Sequence, residues 1–127
     1  MATQVVWVEI PAQNIERALA FYKQVFGYSG DIEVADDGVR KTAVLDGGAN
    51  GAPGFSLNQT ANFEPRDNGV YVYFDVGADV QGALNRVTAA GGKALSGKLS
   101  MGEAGYYATI RDTEGNIIGE YSTPDGQ

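Results

Sequence analysis

Two stretches of this chain alternate strictly between hydrophobic and polar positions, and each is followed by a helical pattern. The first stretch, VVWVEI near the N-terminus, has an aliphatic face formed by Val6, Val8 and Ile10. Its opposite face carries Trp7 and Glu9. Because side chains alternate between the two faces of a strand, this pattern predicts a strand with one buried face.

A helix follows the first strand. Asn14 is a good N-cap, and Gly27 is placed as the C-terminal stop. Between them, apolar residues recur at helical spacing, namely Ile15, Ala18, Leu19, Tyr22 and Phe26. The aliphatic strand face should pack under this helix, so Trp7 and Glu9 must face something else.

The second half of the chain repeats this unit. Residues 69–92 read as an alternating strand and a second helix, which Asp79 caps and Gly91-Gly92 ends. The sequence VQGAL in this helix corresponds to IERAL in the first helix. The pattern is therefore an internal repeat with a period of about half the chain.

Three further strands are predicted after each helix, at about 28–36, 39–46, 53–59, 94–100, 106–111 and 116–122. The fold class is therefore α+β, with two tandem βαβββ modules that form a cup-shaped mixed sheet with the helices outside. We expect residues 1–127 to form one domain, with module one at about 1–60 and module two at about 66–127.

The amino-acid composition argues against several classes of function. The chain has no cysteine and no histidine, so the commonest metal ligand and the usual general base at neutral pH are both missing. A net charge of −7 disfavours nucleic acid and would attract cations. No apolar run is long enough for a membrane span and no signal peptide pattern is present, so we expect a cytoplasmic protein without membrane partners.

This layout, with the segments ERALAFYKQVFG and RDTEGNIIGEYS, resembles the vicinal oxygen chelate superfamily, and within it the metal-poor, glyoxalase-like bacterial branch. That superfamily includes glyoxalases, extradiol dioxygenases and bleomycin-resistance proteins. The resemblance implies a cup that usually holds a divalent metal through His and Glu. By position, those ligands correspond here to Trp7, Tyr71 with a register uncertainty of one, Gly119 and, by a weaker alignment, Ser56. None of these is a normal metal ligand, so no metal and no cofactor is expected.

The alternation instead directs aromatic and charged side chains into the cup. The expected ligand-binding residues are Trp7, Glu9, Tyr71, Tyr73, Tyr107, Arg111 and Tyr121, with Asp75 and Thr109 on the same faces. Flat rings, hydroxyls and carboxylates suit a planar or cationic small molecule. The alternative is that these rings fill the cup as a second core. Glu9 would bind a ligand's amine or act as a base, or else form an ion pair with Arg111 or Arg40.

Glu120 is anomalous, because alternation places it with Ile118 and Ser122 on the face that should pack against a helix. We expect it to be solvated near the strand end. The alternative is a bulge that turns it inward, where Glu9, Glu120 and Asp75 would form an all-oxygen site for Mg²⁺ or Mn²⁺.

Three functions remain open from the sequence. The leading one is a metal-free small-molecule-binding protein of the glyoxalase/bleomycin-resistance type, which binds an aromatic or cationic ligand in the cup. The second is a lyase, isomerase or dioxygenase-like enzyme with an oxygen-ligand metal site or metal-free acid–base chemistry, although no catalytic residue is assigned. The third is an interaction protein with a filled cup. The resemblance also implies a homodimer.

Overall fold

A computed structural model describes residues 3–48 and 52–124 of the chain. Its strands are β1 (Trp7–Pro11), β2 (Ala35–Asp36), β3 (Arg40–Asp46), β4 (Gly54–Thr60), β5 (Tyr73–Asp75), β6 (Lys93–Ala94), β7 (Leu99–Ser100), β8 (Tyr106–Arg111) and β9 (Ile117–Ser122). Its helices are α1 (Ile15–Phe26) and α2 (Val80–Ala89), with a 3₁₀ turn at Gly102–Ala104. No helix in the described part of the chain is both long and apolar enough to cross a membrane.

The strands form two mixed sheets, which confirms the α+β class and the repeated module. The first sheet has the order β1-β4-β3-β2, and the second has the order β5-β9-β8-β6 with β7 also paired to β8. In both sheets the first strand of the module lies parallel to the last one, β1 beside β4 and β5 beside β9. The repeat seen in the sequence is therefore a repeat of topology.

The predicted helix ends are confirmed. The Asn14 side chain accepts the backbone N–H of Arg17 at 3.1 Å, and Gly27 ends α1 with a φ of 76°. Asp79 caps α2 by accepting the N–H of Gly82 at 2.7 Å. Both helices and both sheets contribute to one continuous hydrophobic core.

Three predicted strands are much shorter than expected. The alternating stretch that begins the second module keeps only Tyr73–Asp75 as β5. Only Ala35–Asp36 of the segment 28–36 is a strand. The residues before it have no regular secondary structure, and Ile32 and Val34 among them pack against the core. The segment 94–100 is divided into β6 and β7. Val6, which was expected on the buried strand face, precedes β1 and is 68% exposed.

Hydrogen bonds made by the turn after β8 connect the two modules. Asp112 accepts the N–H groups of Glu114 and Asn116 at 2.8 and 2.9 Å with one oxygen. Its other oxygen accepts the buried hydroxyl of Tyr22 at 2.7 Å. Asn116 in turn donates to the carbonyl oxygen of Pro11 at the end of β1. The D-x-E-G-N motif is therefore a structural clamp.

Glu114 caps the first helix from this clamp. It accepts the N–H groups of Gln13 and Asn14 at 2.9 and 2.8 Å, and its other oxygen accepts Nε of Arg17 at 2.7 Å. Burial opposes the charge of this carboxylate, but the hydrogen bonds from Arg17, Asn14, Thr113 and Gln13 outweigh it and lower the pKa of Glu114. The negative charge also lies at the N-terminus of α1, where the helix dipole favours it.

Candidate functional site

Trp7 lies on the helix-free face of the first sheet, as its alternation predicts. The indole ring lies against Gly54, the partner of Trp7 on β4. A Cβ built on that glycine would fall 2.6 Å from ring atom Cζ3, so only glycine leaves room for the ring. The indole Nε1 donates to the hydroxyl of Ser56 at 3.3 Å. Trp7 remains 39% exposed and therefore offers a free aromatic surface to the cup.

A chain of hydrogen bonds runs from Ser56 along this face. The Asn58 side chain donates to the Ser56 hydroxyl at 3.0 Å and accepts Nη1 of Arg40 at 3.2 Å. The same Nη1 donates to Glu9 at 2.8 Å. Glu9 and Arg40 have side chains that are 46% and 37% exposed, so both remain accessible to a ligand. Of the two ion pairs open from the sequence, Glu9 forms the one with Arg40.

The second sheet has an equivalent arrangement around Tyr73. Its ring lies against Gly119, its partner on β9, and any side chain at that glycine would overlap the ring. The pair Tyr73 and Gly119 thus corresponds to the pair Trp7 and Gly54. Tyr71, the counterpart of Trp7 assigned from the sequence, precedes β5, whereas Tyr73 is the residue of β5 whose ring lies over a glycine.

The remaining tyrosines of the cup extend this face. Tyr107 approaches Tyr73 edge-on, with ring centroids 6.3 Å apart. The hydroxyl of Tyr121 donates to the carbonyl oxygen of Ala104 in the 3₁₀ turn at 2.7 Å. Thr109 lies opposite Gly119 on β8. Tyr73, Tyr107, Thr109 and Tyr121 therefore share the helix-free face of the second sheet.

Tyr71 and Arg111 lie apart from these two groups. Tyr71 precedes β5 and, with Glu9, lines a cavity of about 250 Å³ between β1 and the connector 61–72. Arg111 approaches Asp67 of that connector at 3.8 Å between Nη2 and Oδ2. The seven expected ligand-binding residues thus occupy both helix-free faces and the cleft beside the connector.

The positions that correspond to the family metal ligands do not fit a metal ion. An indole N–H is a donor without a lone pair for coordination, and Gly119 has no side chain at all. The Ser56 hydroxyl already accepts hydrogen bonds from Trp7 and Asn58. Within residues 3–48 and 52–124, no group of three or more carboxylates is arranged to hold a metal.

The expectation that Glu120 is solvated is wrong, and so is the bulge alternative. Glu120 is fully buried, and β8 and β9 pair in regular register with Glu120 opposite Ala108. Neither carboxyl oxygen has a hydrogen-bond partner within the described residues, and the same holds for the Ser122 hydroxyl. Burial raises the pKa of Glu120 to about 7, and the positive charge of Arg86 on α2 opposes this effect.

The buried position of Glu120 also removes the all-oxygen metal site. Glu120 points to the helix side of the sheet, next to residues of the core. Glu9 belongs to the opposite face of the other sheet, where Arg40 occupies one of its oxygens. Asp75 accepts the N–H of Gly77 at 2.8 Å. The structure therefore does not bring these three carboxylates together.

The aromatic side chains do not fill the cup. Trp7, Tyr71 and Tyr73 keep 39%, 47% and 45% of their surface exposed. Among the described residues, Tyr73 and Tyr107 form the one ring contact on the helix-free faces. Aromatic surface therefore remains available on these faces.

Asn58 was not predicted as a member of this site, and Arg40 was predicted only as one of two alternative ion-pair partners of Glu9. Asn58 and Arg40 complete the hydrogen-bond chain from Trp7 to Glu9. The sequence pattern contains some information about both residues. Asn58 alternates with Leu57 on β4, and Arg40 is three residues before the buried Ala43. Only the register between β3 and β4 reveals that they meet.

Comparison with known proteins agrees with this fold. A family model described as the Glyoxalase/Bleomycin resistance protein/Dioxygenase superfamily matches residues 4–119. No protein of curated function matches the chain significantly. A glyoxalase-related enzyme from Fulvimarina pelagi is 20% identical, with a TM-score of 0.67, and the match covers 99% of this chain and 96% of that one.

Two further solved structures have the same fold at low identity. The fosfomycin resistance protein FosX from Listeria monocytogenes is 12% identical, with a TM-score of 0.67 and coverage of 96% and 94% of the two chains. Glyoxalase I from Zea mays is 17% identical, with a TM-score of 0.71, over 93% of this chain. The chain spans only 44% of the maize enzyme's length.

Proposed function

The chain belongs to the glyoxalase/bleomycin resistance protein/dioxygenase superfamily, and on that premise we propose that it is a metal-free small-molecule-binding protein. Its ligand is aromatic or cationic and occupies the cup formed by the helix-free faces of the two sheets. The observation that carries this proposal is the Trp7 indole, which is held by Gly54 and Ser56 while its other surface stays open.

The charge pattern on the first sheet supports a ligand with a positive group. Arg40 binds one oxygen of Glu9, Oε2, at 2.8 Å. In the described part of the chain, the other oxygen of Glu9 has no hydrogen-bond partner. A ligand cation stacked on Trp7 would gain both the cation–π attraction of the indole and the charge of this carboxylate. The net charge of −7 would concentrate cations near the protein.

The single tryptophan provides the test, because its fluorescence reports directly on the cup. We would titrate the untagged protein with aromatic cations, with neutral aromatic compounds of the same shape and with aromatic carboxylates. Saturable quenching by the cations is expected. Glu9→Gln should weaken cation binding by about tenfold and change neutral binding little, since about 1.4 kcal/mol corresponds to one order of magnitude. Glu33→Gln, an exposed glutamate, is the matched control.

An absence of saturable quenching with every class of compound would contradict the proposal. Equal weakening by Glu9→Gln and Glu33→Gln would show that the carboxylate of Glu9 does not contact the ligand. Metal-dependent turnover of any compound in the panel would instead favour the enzymatic alternative, for which the present geometry offers no separate support.

A homodimer and a cytoplasmic location belong to the same proposal. The helix-free faces carry exposed apolar side chains, including Trp7, Val44 and Tyr73. Burial of these side chains against a second copy of the chain would favour a homodimer. Analytical ultracentrifugation distinguishes 13.4 kDa from twice that mass. Cell fractionation checks the location.

A further inference from the structure

A second cavity, of about 290 Å³, lies between Val8 of β1 and residues 72–75, and four of its ten lining residues are aromatic. Tyr28, Phe55, Tyr73 and Phe74 line it. The rings of Tyr28 and Phe55 meet at 62° with centroids 5.9 Å apart, and those of Phe55 and Phe74 meet at 68° and 5.0 Å. These are edge-to-face contacts, so the aromatic part of the wall is angular rather than a flat stack.

The only charges among the described lining residues are negative. Asp46 and Asp75 line the cavity, and no lysine or arginine does. Asp46 reaches it because β3 has an irregularity between Val44 and Asp46, which pairs Asp46 with Phe55 and redirects its side chain. Each aspartate uses one oxygen to accept a backbone N–H two residues later, at Gly48 and Gly77. In the described residues, the second oxygen of each has no partner.

Tyr28 adds a neutral donor to the same wall. Burial raises the pKa of Tyr28, and the negative charge of Asp46 raises it further. The phenol therefore keeps its proton at neutral pH and presents its ring and hydroxyl, but no negative charge, to the cavity.

We propose that this cavity binds a small organic cation of the methylated-ammonium class. The aromatic walls would contact its methyl groups, and Asp46 and Asp75 would balance its charge. Aromatic cages with nearby carboxylates suit quaternary ammonium groups, because the ring quadrupole attracts a weakly hydrated cation. A bare divalent metal fits poorly, since it requires about six oxygen ligands and the walls are mainly apolar.

This inference goes beyond the cup-binding function. Phe55 and Phe74 belong to the core side of their strands, whereas Trp7 and Glu9 belong to the helix-free face. Tyr73 and Asp75 are the two residues named for both the cup and this cavity. A cavity of about 290 Å³ is small for a ligand pocket, which limits the occupant to a compact ammonium compound.

The test uses choline and its neutral analogue 3,3-dimethylbutan-1-ol, which has the same shape without the charge. Binding to the untagged full chain is measured by isothermal titration calorimetry. The double variant Asp46→Asn/Asp75→Asn keeps the acceptors of both turns and removes both charges. We expect choline to bind at least tenfold more tightly than the neutral analogue, and to weaken at least tenfold in the double variant.

The matched control is Asp36→Asn. Asp36 also accepts the N–H of a glycine two residues later, Gly38, but it lies on β2 and does not line this cavity. Choline affinity should stay within twofold of wild type in this control. A second measurement needs no variant, because ring protons of Tyr28, Phe55 and Phe74 should shift in the NMR spectrum when choline is added.

Three results would overturn the proposal. One is equal affinity for choline and the neutral analogue, and another is no binding of choline at millimolar concentration. The third is loss of choline binding in Glu9→Gln with full binding in the double variant. That third result would place the cation in the cup and leave the cup-binding function intact, so the two proposals fail separately.

Discussion

The ring of Tyr73 lies directly on the backbone of Gly119, its partner across the parallel pair of β5 and β9. Trp7 and Gly54 have the same relationship in the first sheet. In both modules, a first-strand aromatic ring thus occupies the space that a side chain on the last strand would need. The two modules therefore share this ring-over-glycine packing as well as their strand topology.

Gly119→Ala should destabilise the protein by about 1–3 kcal/mol, because the new methyl group must displace the Tyr73 ring. The free energy of unfolding from urea denaturation measures this cost. Gly97→Ala is the control, since a Cβ there meets nothing within 4 Å and its φ is not positive. Equal stability of both variants would show that the Tyr73 ring moves aside freely.

Glu120 should make stability fall as the pH rises. The pKa of Glu120 is raised from 4.5 to about 7. The contribution of the protonated side chain to the free energy of unfolding is therefore fully present below pH 4.5 and is lost as the pH rises towards 7. This shift corresponds to about 3 kcal/mol. Unfolding of wild type and Glu120→Gln at pH 5, 6, 7 and 8 measures it.

The free energy of unfolding of Glu120→Gln should increase relative to that of wild type as the pH rises. The difference between the two proteins should level off above pH 7. Glu33→Gln is the matched control, because this glutamate is exposed and should leave the pH profile unchanged. Parallel profiles for wild type and Glu120→Gln would show that Glu120 finds a partner for its charge.

Glu114→Gln should cost more stability than Arg17→Met. Glu114 has a fully buried side chain whose Oε2 accepts Nε of Arg17 and the Thr113 hydroxyl. The amide NH₂ of glutamine would face these donors, at a cost of about 2–3 kcal/mol. Arg17 is half exposed, so its loss should cost about 1 kcal/mol. Thermal and urea denaturation of both variants gives the ranking.

The effect of Glu114 should also depend on pH in the opposite direction to that of Glu120. The pKa of Glu114 is lowered from 4.5, so its contribution is present above pH 4.5 and is lost as the pH falls through the lower pKa. The difference between wild type and Glu114→Gln should therefore shrink in acid. A constant difference would contradict this assignment.

Divalent cations should not stabilise the protein. A cation at 100 times its Kd would add about 2.7 kcal/mol and raise Tm by several degrees. Because Trp7, Ser56, Tyr71 and Gly119 cannot form a ligand set, shifts below about 1 °C are expected for Mg²⁺, Mn²⁺, Ni²⁺ and Zn²⁺. The protein must be untagged, since the chain has no histidine and a tag would supply it. A clear shift with near-stoichiometric metal by mass spectrometry would contradict the prediction.

The sequence by itself determined the repeat, the helix ends and the face on which most residues lie. Asn14, Gly27 and Asp79 act locally, and alternation correctly placed Trp7 and Glu9 away from the helix and Glu120 beside Ile118 and Ser122. These are short-range properties of a chain with periods of 2.0 and 3.6 residues.

Only the tertiary structure decided what each face meets. Strand register brings Glu9 next to Arg40 rather than Arg111. It also places Tyr73, rather than Tyr71, opposite Gly119. Packing of α2 against β9 buried Glu120, which alternation alone could not distinguish from a solvated strand end. Period and propensity fix the direction of a side chain, whereas its partner depends on elements that are distant in sequence.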